Sequence, residues 1–95
     1  MESVVLLRKT GIVTQESATS TLRELFGRRI QVLRKSRGLT QEALAEQVGI
    51  SVDFLSLIER GRNSPSFENL ELFGRALKLP LSQLFTFPGG SDEGE

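Results

Sequence analysis

Leu22, Phe26, Ile30 and Leu33 recur at intervals of four, four and three residues, the spacing of one apolar stripe along an α-helix. Thr21 and Glu24 bracket its start as a capping box, each side chain satisfying the other residue's backbone N–H, so a helix is predicted over Leu22–Ser36. Gly38 ends it by taking the left-handed conformation cheaply. Thr40 then caps a second helix, Gln41–Val48, with Leu44, Ala45 and Val48 facing inward. Gly49 closes that helix, Ile50 points back into the core, and Ser51 caps a third helix running to about Arg60. Stepping about 100° per residue places Phe54, Leu55 and Ile58 on one face, Val52, Asp53, Ser56 and Arg60 on the other, and Leu57 on the flank. Gly61 stops this helix. Ser66 caps a fourth, Phe67–Leu77, whose inner face is read as Phe67, Leu70, Phe73, Gly74 and Leu77. Pro80 suits the first turn of a last short helix, Leu81–Phe85. The pattern predicts an all-α chain of five short helices.

The stretch from Gln41 to Arg60, QEALAEQVGISVDFLSLIER, is the most informative. Two helices this short bury little by themselves, so a pair joined tightly at a glycine serves to present its second member to something else. In small proteins that something is most often the major groove of DNA. Ala45 admits a close crossing of the next helix, although alanine is also simply the best helix former.

Composition bounds the alternatives. Ninety-five residues, 38% hydrophobic and 25% charged, suit one compact domain with a modest core. The chain has no Cys and no His, which removes thiolate nucleophiles, disulfides, imidazole metal ligands and the usual general base. With no paired-carboxylate signal and no glycine-rich phosphate loop, no enzyme activity, metal or cofactor is expected. The opening MESVVLLRKTG holds only four consecutive apolar residues, too few for a signal peptide or a membrane span. A soluble, cytoplasmic protein without a membrane partner is the expectation.

Formal net charge is zero, which at first weighs against nucleic acid, because neutralising phosphates supplies most non-specific affinity. The distribution changes that picture. Between Leu22 and Arg62, basic Arg23, Arg28, Arg29, Arg34, Lys35, Arg37, Arg60 and Arg62 exceed acidic Glu24, Glu42, Glu46, Asp53 and Glu59 by three, whereas from Ser66 onward acidic residues exceed basic ones by three. A solvated helix surface explains such charges equally well in isolation. Their coincidence with the two-helix unit favours DNA.

Phe26 to Phe85 resembles the Cro and lambda-repressor-like helix-turn-helix family, often called the Xre family. The resemblance rests on Arg29-Ile30 and Leu33-Arg34, Gly38-Leu39-Thr40-Gln41, Leu44-Ala45, Gly49-Ile50-Ser51, Leu55-Ser56, Ile58-Glu59-Arg60-Gly61, Pro65-Ser66 and Leu84-Phe85. It implies a compact five-helix lambda-repressor-like domain with the helix-turn-helix at helices two and three. It also implies dimeric binding of double-stranded DNA at a short inverted repeat, and repression or activation of transcription.

Individual roles follow. Gln41, with Thr40, stands at the start of the second helix, where its amide and the free N–H groups of the first turn suit a phosphate oxygen. The family places a phosphate contact there, while a plain solvated helix-start residue is the alternative. Arg62 and Asn63, with Ser64 assisting, are expected to reach the backbone across the groove. A carboxylate on the third helix would repel phosphate, so Glu59 is expected to pair with Arg34 as a structural ion pair, which the resemblance also implies. Base readout falls to Ser51, Val52, Asp53, Ser56, Leu57 and Arg60. Val52 and Leu57 suit thymine methyls. Asp53 either accepts from a cytosine amino group or complements the helix dipole. Bidentate readers at the helix front are missing, so groove shape or residues elsewhere would supply part of the specificity.

A homodimer is expected, because two half-sites double the contacts. Leu72, Ala76, Leu81, Phe85 and Phe87 are its candidate residues, against the alternative that part of this surface caps the core. Residues 1–20 are read as an extension, either a hairpin or strand or a flexible leader; 21–87 as the DNA-binding domain; 88–95 as an acidic disordered tail. Three functions fit: a stand-alone regulator such as a restriction–modification controller or autorepressor, an antitoxin that also binds a toxin, and a protein-interaction module.

Overall fold

The computed structural model describes residues 20–87. The expectations for a leader or hairpin and for an acidic tail fall on 1–19 and 88–95, outside the described residues. Five helices follow in order, α1 (Leu22–Ser36), α2 (Gln41–Val48), α3 (Val52–Glu59), α4 (Phe67–Leu77) and α5 (Leu81–Leu84). No strand occurs among the described residues. Two helices stop one residue short of expectation: Arg60 and Phe85 leave helical geometry as the C-caps of α3 and α5. Pro80 is the N-cap of α5 rather than part of its first turn.

Local hydrogen bonding explains where the helices begin. Thr21 and Glu24 exchange both capping-box bonds at 3.0 and 3.2 Å, and Ser66 does the same with Asn69. Thr40 and Ser51 accept from the N–H of Ala43 and Phe54, each at 3.0 Å. Each such cap contributes about 1 kcal/mol. Between α2 and α3 the chain turns at Gly49, whose φ of 90° is open to glycine and strained for other residues. The following N–H, of Ile50, returns to the Ala45 carbonyl at 3.0 Å, which fixes the angle at which α3 departs. α4 ends on a non-glycine in the same region, Lys78 at φ 58°.

The core is built from Phe26, Ile30, Leu33, Leu44, Ala45, Val48, Leu55, Ile58, Phe73, Leu77 and Leu84. Phe26 is its aromatic hub, edge-on to Phe73 at 6.0 Å and tilted against Phe85 at 5.1 Å. α3 lies directly across α1 at Gly27, a buried glycine that faces the carbonyls of Ile58 and Glu59. Full burial of each large aliphatic side chain contributes about 1.5–3 kcal/mol.

The core departs from the apolar periodicity at the start of α4. Phe67, read as the first inner-face residue of α4, is 84% exposed. It shares an angular face with Leu70, but as the opening residue of α4 it overhangs the end of the core. Leu22, the first residue of the apolar stripe on α1, is exposed for the same reason. The two flank a shallow apolar cleft with Phe26, Pro65, Leu70 and Phe85. Val52 and Phe54 are both half-buried and packed against the core, so the division of α3 into an inner and an outer face is less sharp than its periodicity suggested.

Candidate nucleic-acid interface

Glu59, at the end of α3, is an acidic residue with a side chain only 1% exposed. Arg34, in the last turn of α1, reaches it with two parallel bonds, Nε to Oε2 at 2.7 Å and Nη2 to Oε1 at 3.1 Å. The remaining guanidinium nitrogen donates to the Leu39 carbonyl at 2.8 Å. Burying two charges costs several kcal/mol per ion unless geometry and further bonds offset it, and this bidentate, fully engaged arrangement meets that requirement. The pair holds α3 by its C-terminal end against α1.

Gln41 belongs to the same cluster. Its Nε2 donates to Glu59 Oε1 at 3.0 Å, so the first residue of α2 is tied to the last residue of α3. In the sequence alone Gln41 reads as a surface residue at a helix start, unconnected to Glu59. A signal existed: an ionised carboxylate offers about four acceptor sites, more than one Arg fills.

The outward residues of α3 divide by exposure. Asp53 and Arg60 are exposed, Ser56 and Leu57 half-buried, and Val52 is partly drawn into the core. Arg60 lies back along its own helix, Nε donating to the Ser56 carbonyl at 3.3 Å. The hydroxyl oxygens of Thr40 and Ser51 are engaged as caps, each keeping one O–H to donate. Beyond Gly61, exposed Arg62 and Asn63 stand on the loop to α4, with Asn63 Oδ1 accepting from the Ser64 N–H at 2.9 Å. The carbonyl end of the Asn63 side chain is therefore bound locally, and its amino end is turned away from that bond.

The basic excess between Leu22 and Arg62 is not all directed outward. Arg29 Nε donates to the Gln83 carbonyl at 2.9 Å and clasps α1 to α5. Arg37 donates to the carbonyls of Leu77 at 2.9 Å and Leu33 at 3.3 Å, placing a cation at the negative ends of α4 and α1 together. Arg28 holds the Ser20 hydroxyl at 2.8 Å. With Arg34, four of the eight basic residues counted there serve the fold.

Among the proposed dimer residues, Leu72, Ala76 and Phe85 are half-buried against the core, and Leu81 is 51% exposed. Phe87 packs edge-on to Phe85 at 6.2 Å. No group of acidic, His or Cys side chains among the described residues could hold a metal, and none of the described helices is long and apolar enough to cross a membrane.

Two short helices meeting at a left-handed glycine, the second clamped across the first helix of the fold, define a helix-turn-helix domain. The helix-turn-helix family model matches residues 30–84. The chain is 54% identical over 61 residues to YazB, an uncharacterised HTH-type transcriptional regulator of Bacillus subtilis, covering 64% of this chain and 88% of YazB. It also matches the immunity repressor of Bacillus phage phi105, of whose length it spans 40%. Among solved structures, the restriction-modification controller C.AhdI from Aeromonas hydrophila superposes with a TM-score of 0.65 at 33% identity, covering 66% of this chain and 96% of C.AhdI. The P22 c2 repressor in complex with a synthetic operator superposes at 0.61 with 35% identity, covering 65% and 94%. The chain belongs to the helix-turn-helix family of Cro and lambda-repressor-like regulators.

Proposed function

We propose that this chain is a sequence-specific, double-stranded DNA-binding regulator of transcription that acts in the cytoplasm as a homodimer on a short inverted repeat. Control of a restriction–modification operon is its finer role, supported by the likeness to C.AhdI over nearly the whole of that chain. The single observation carrying the DNA reading is the clamp on α3. With Glu59 neutralised and buried by Arg34, the helix turns Asp53, Ser56, Leu57 and Arg60 outward and keeps its other carboxylate out of the groove.

In this reading α3 enters the major groove. Gln41 and Thr40 hold the phosphate backbone on one side, and Arg62, Asn63 and Ser64 hold it on the other. Ser51 and Val52 meet the groove at the start of α3, with Val52 offering only its exposed edge. Exposed Leu81 extends the dimer surface, together with the uncovered parts of Leu72, Ala76, Phe85 and Phe87.

The test is fluorescence anisotropy with duplexes from the region upstream of its own gene. Binding that tightens on an inverted repeat and weakens steeply with salt is expected. Salt-independent binding, or none to any duplex, overturns the reading.

A further inference from the structure

We propose that Glu59 is a positioning residue for the phosphate contact at the start of α2, acting through Gln41; the proposal rests on the DNA-binding reading above. A carboxamide has two ends of opposite character, an amino group that donates and a carbonyl that accepts. Only the amino end attracts a phosphate oxygen, and the carbonyl end repels it. A glutamine at the start of a surface helix would ordinarily sample several rotamers and both orientations of its terminal group.

Glu59 removes that freedom. A carboxylate accepts and does not donate, so the bond of 3.0 Å to Oε1 selects the Nε2 end of Gln41. Nε2 carries two hydrogens in the amide plane. One is engaged by Glu59, and planar geometry directs the other away from it. The carboxylate cannot swing aside to follow the glutamine, because Arg34 holds both of its oxygens and its side chain is 1% exposed. The clamp that orients the recognition helix therefore also sets the donor that grips the backbone. Groove reading by α3 and phosphate grip by α2 share one rigid acceptor.

A double-mutant cycle tests this. Affinity for a bound duplex is measured for the full chain and for Gln41→Ala, Glu59→Gln and the double variant, with a denaturation curve for each so that affinities refer to folded protein. Glu59→Gln keeps the size of the side chain but presents a group that both donates and accepts, and so no longer selects the amino end of Gln41. Each single change is expected to weaken binding roughly tenfold, and the double change no more than the weaker single variant. Losses that multiply, or a Glu59→Gln variant with undiminished affinity, overturn the proposal.

If Glu59→Gln does not fold, the side-chain amide of Gln41 in the unaltered protein is followed by NMR. One proton is expected to be protected and shifted before DNA is added, and the other to move on binding. Averaged, unprotected signals, or a pair that a bound duplex leaves unmoved, overturn the proposal equally. Failure of the unaltered protein to bind any duplex is a different result, and it removes the DNA reading together with this one.

Discussion

A Cβ on Gly27 would stand 2.2 Å from the carbonyl oxygen of Ile58. Real Cβ atoms do not approach a backbone oxygen so closely, so α1 and α3 cross at a distance that only glycine allows. Gly27→Ala is expected to destabilise the domain by about 2–3 kcal/mol, in spite of a gain of about 1 kcal/mol in helix propensity. Urea denaturation checks it. An unchanged midpoint would mean that the two helices are not locked together at this point.

Arg34→Ala leaves the Glu59 carboxylate buried without its partner, and a loss of about 3–5 kcal/mol is expected. Replacing both residues, Arg34→Met with Glu59→Leu, is expected to recover most of that loss, because the penalty lies in the unpaired charge rather than in the absent bond. The comparison needs only the two melting curves. A double variant as unstable as the single one would show that the pair contributes net stability of its own.

Lys78 is the one non-glycine with positive φ among the described residues, at 58°. Lys78→Gly is expected to stabilise the protein by about 0.5–1 kcal/mol, the left-handed penalty less the entropy that glycine adds to the unfolded chain. Its exposed side chain takes no part in the core. A lowered thermal midpoint would mean that the lysine makes up for its strain.

Arg62 and Gln41 are both assigned to phosphate, but they differ in charge. Arg62→Ala is expected to weaken binding to all duplexes alike and to reduce the slope of log affinity against log salt by roughly 1. Gln41→Ala is expected to weaken binding with the slope unchanged, since a neutral amide releases no counterion. Equal slopes for Arg62→Ala and the parent protein would remove Arg62 from the backbone contacts.

Most helix boundaries were legible because their causes are local. Thr21 with Glu24, Thr40, Ser51 and Ser66 each act within three residues of themselves. What escaped depends on distant parts of the chain. Periodicity assigns Phe67 to an inner face but carries no information on how far the opposing surface extends, so its exposure could not be foreseen. Gly27 looks like a weak point in a helix until α3 is laid across it. Arg29 and Arg37 read as surface charge, yet they serve carbonyls 54 and 40 residues away. Gln41 and Glu59 are 18 residues apart and meet only because Gly49 turns α3 back across α2.

Among the described residues, the contacts that fix α3 against the rest of the fold approach it from within: Gly27 beneath its last turn, Arg34 and Gln41 on Glu59, and the core against Leu55 and Ile58. Its exposed positions carry almost none of that burden. Asp53 and Arg60 are therefore open to exchange with little cost in folding, and descendants of one such scaffold could be redirected to new operators by a few surface changes while the mounting of the helix stays as it is.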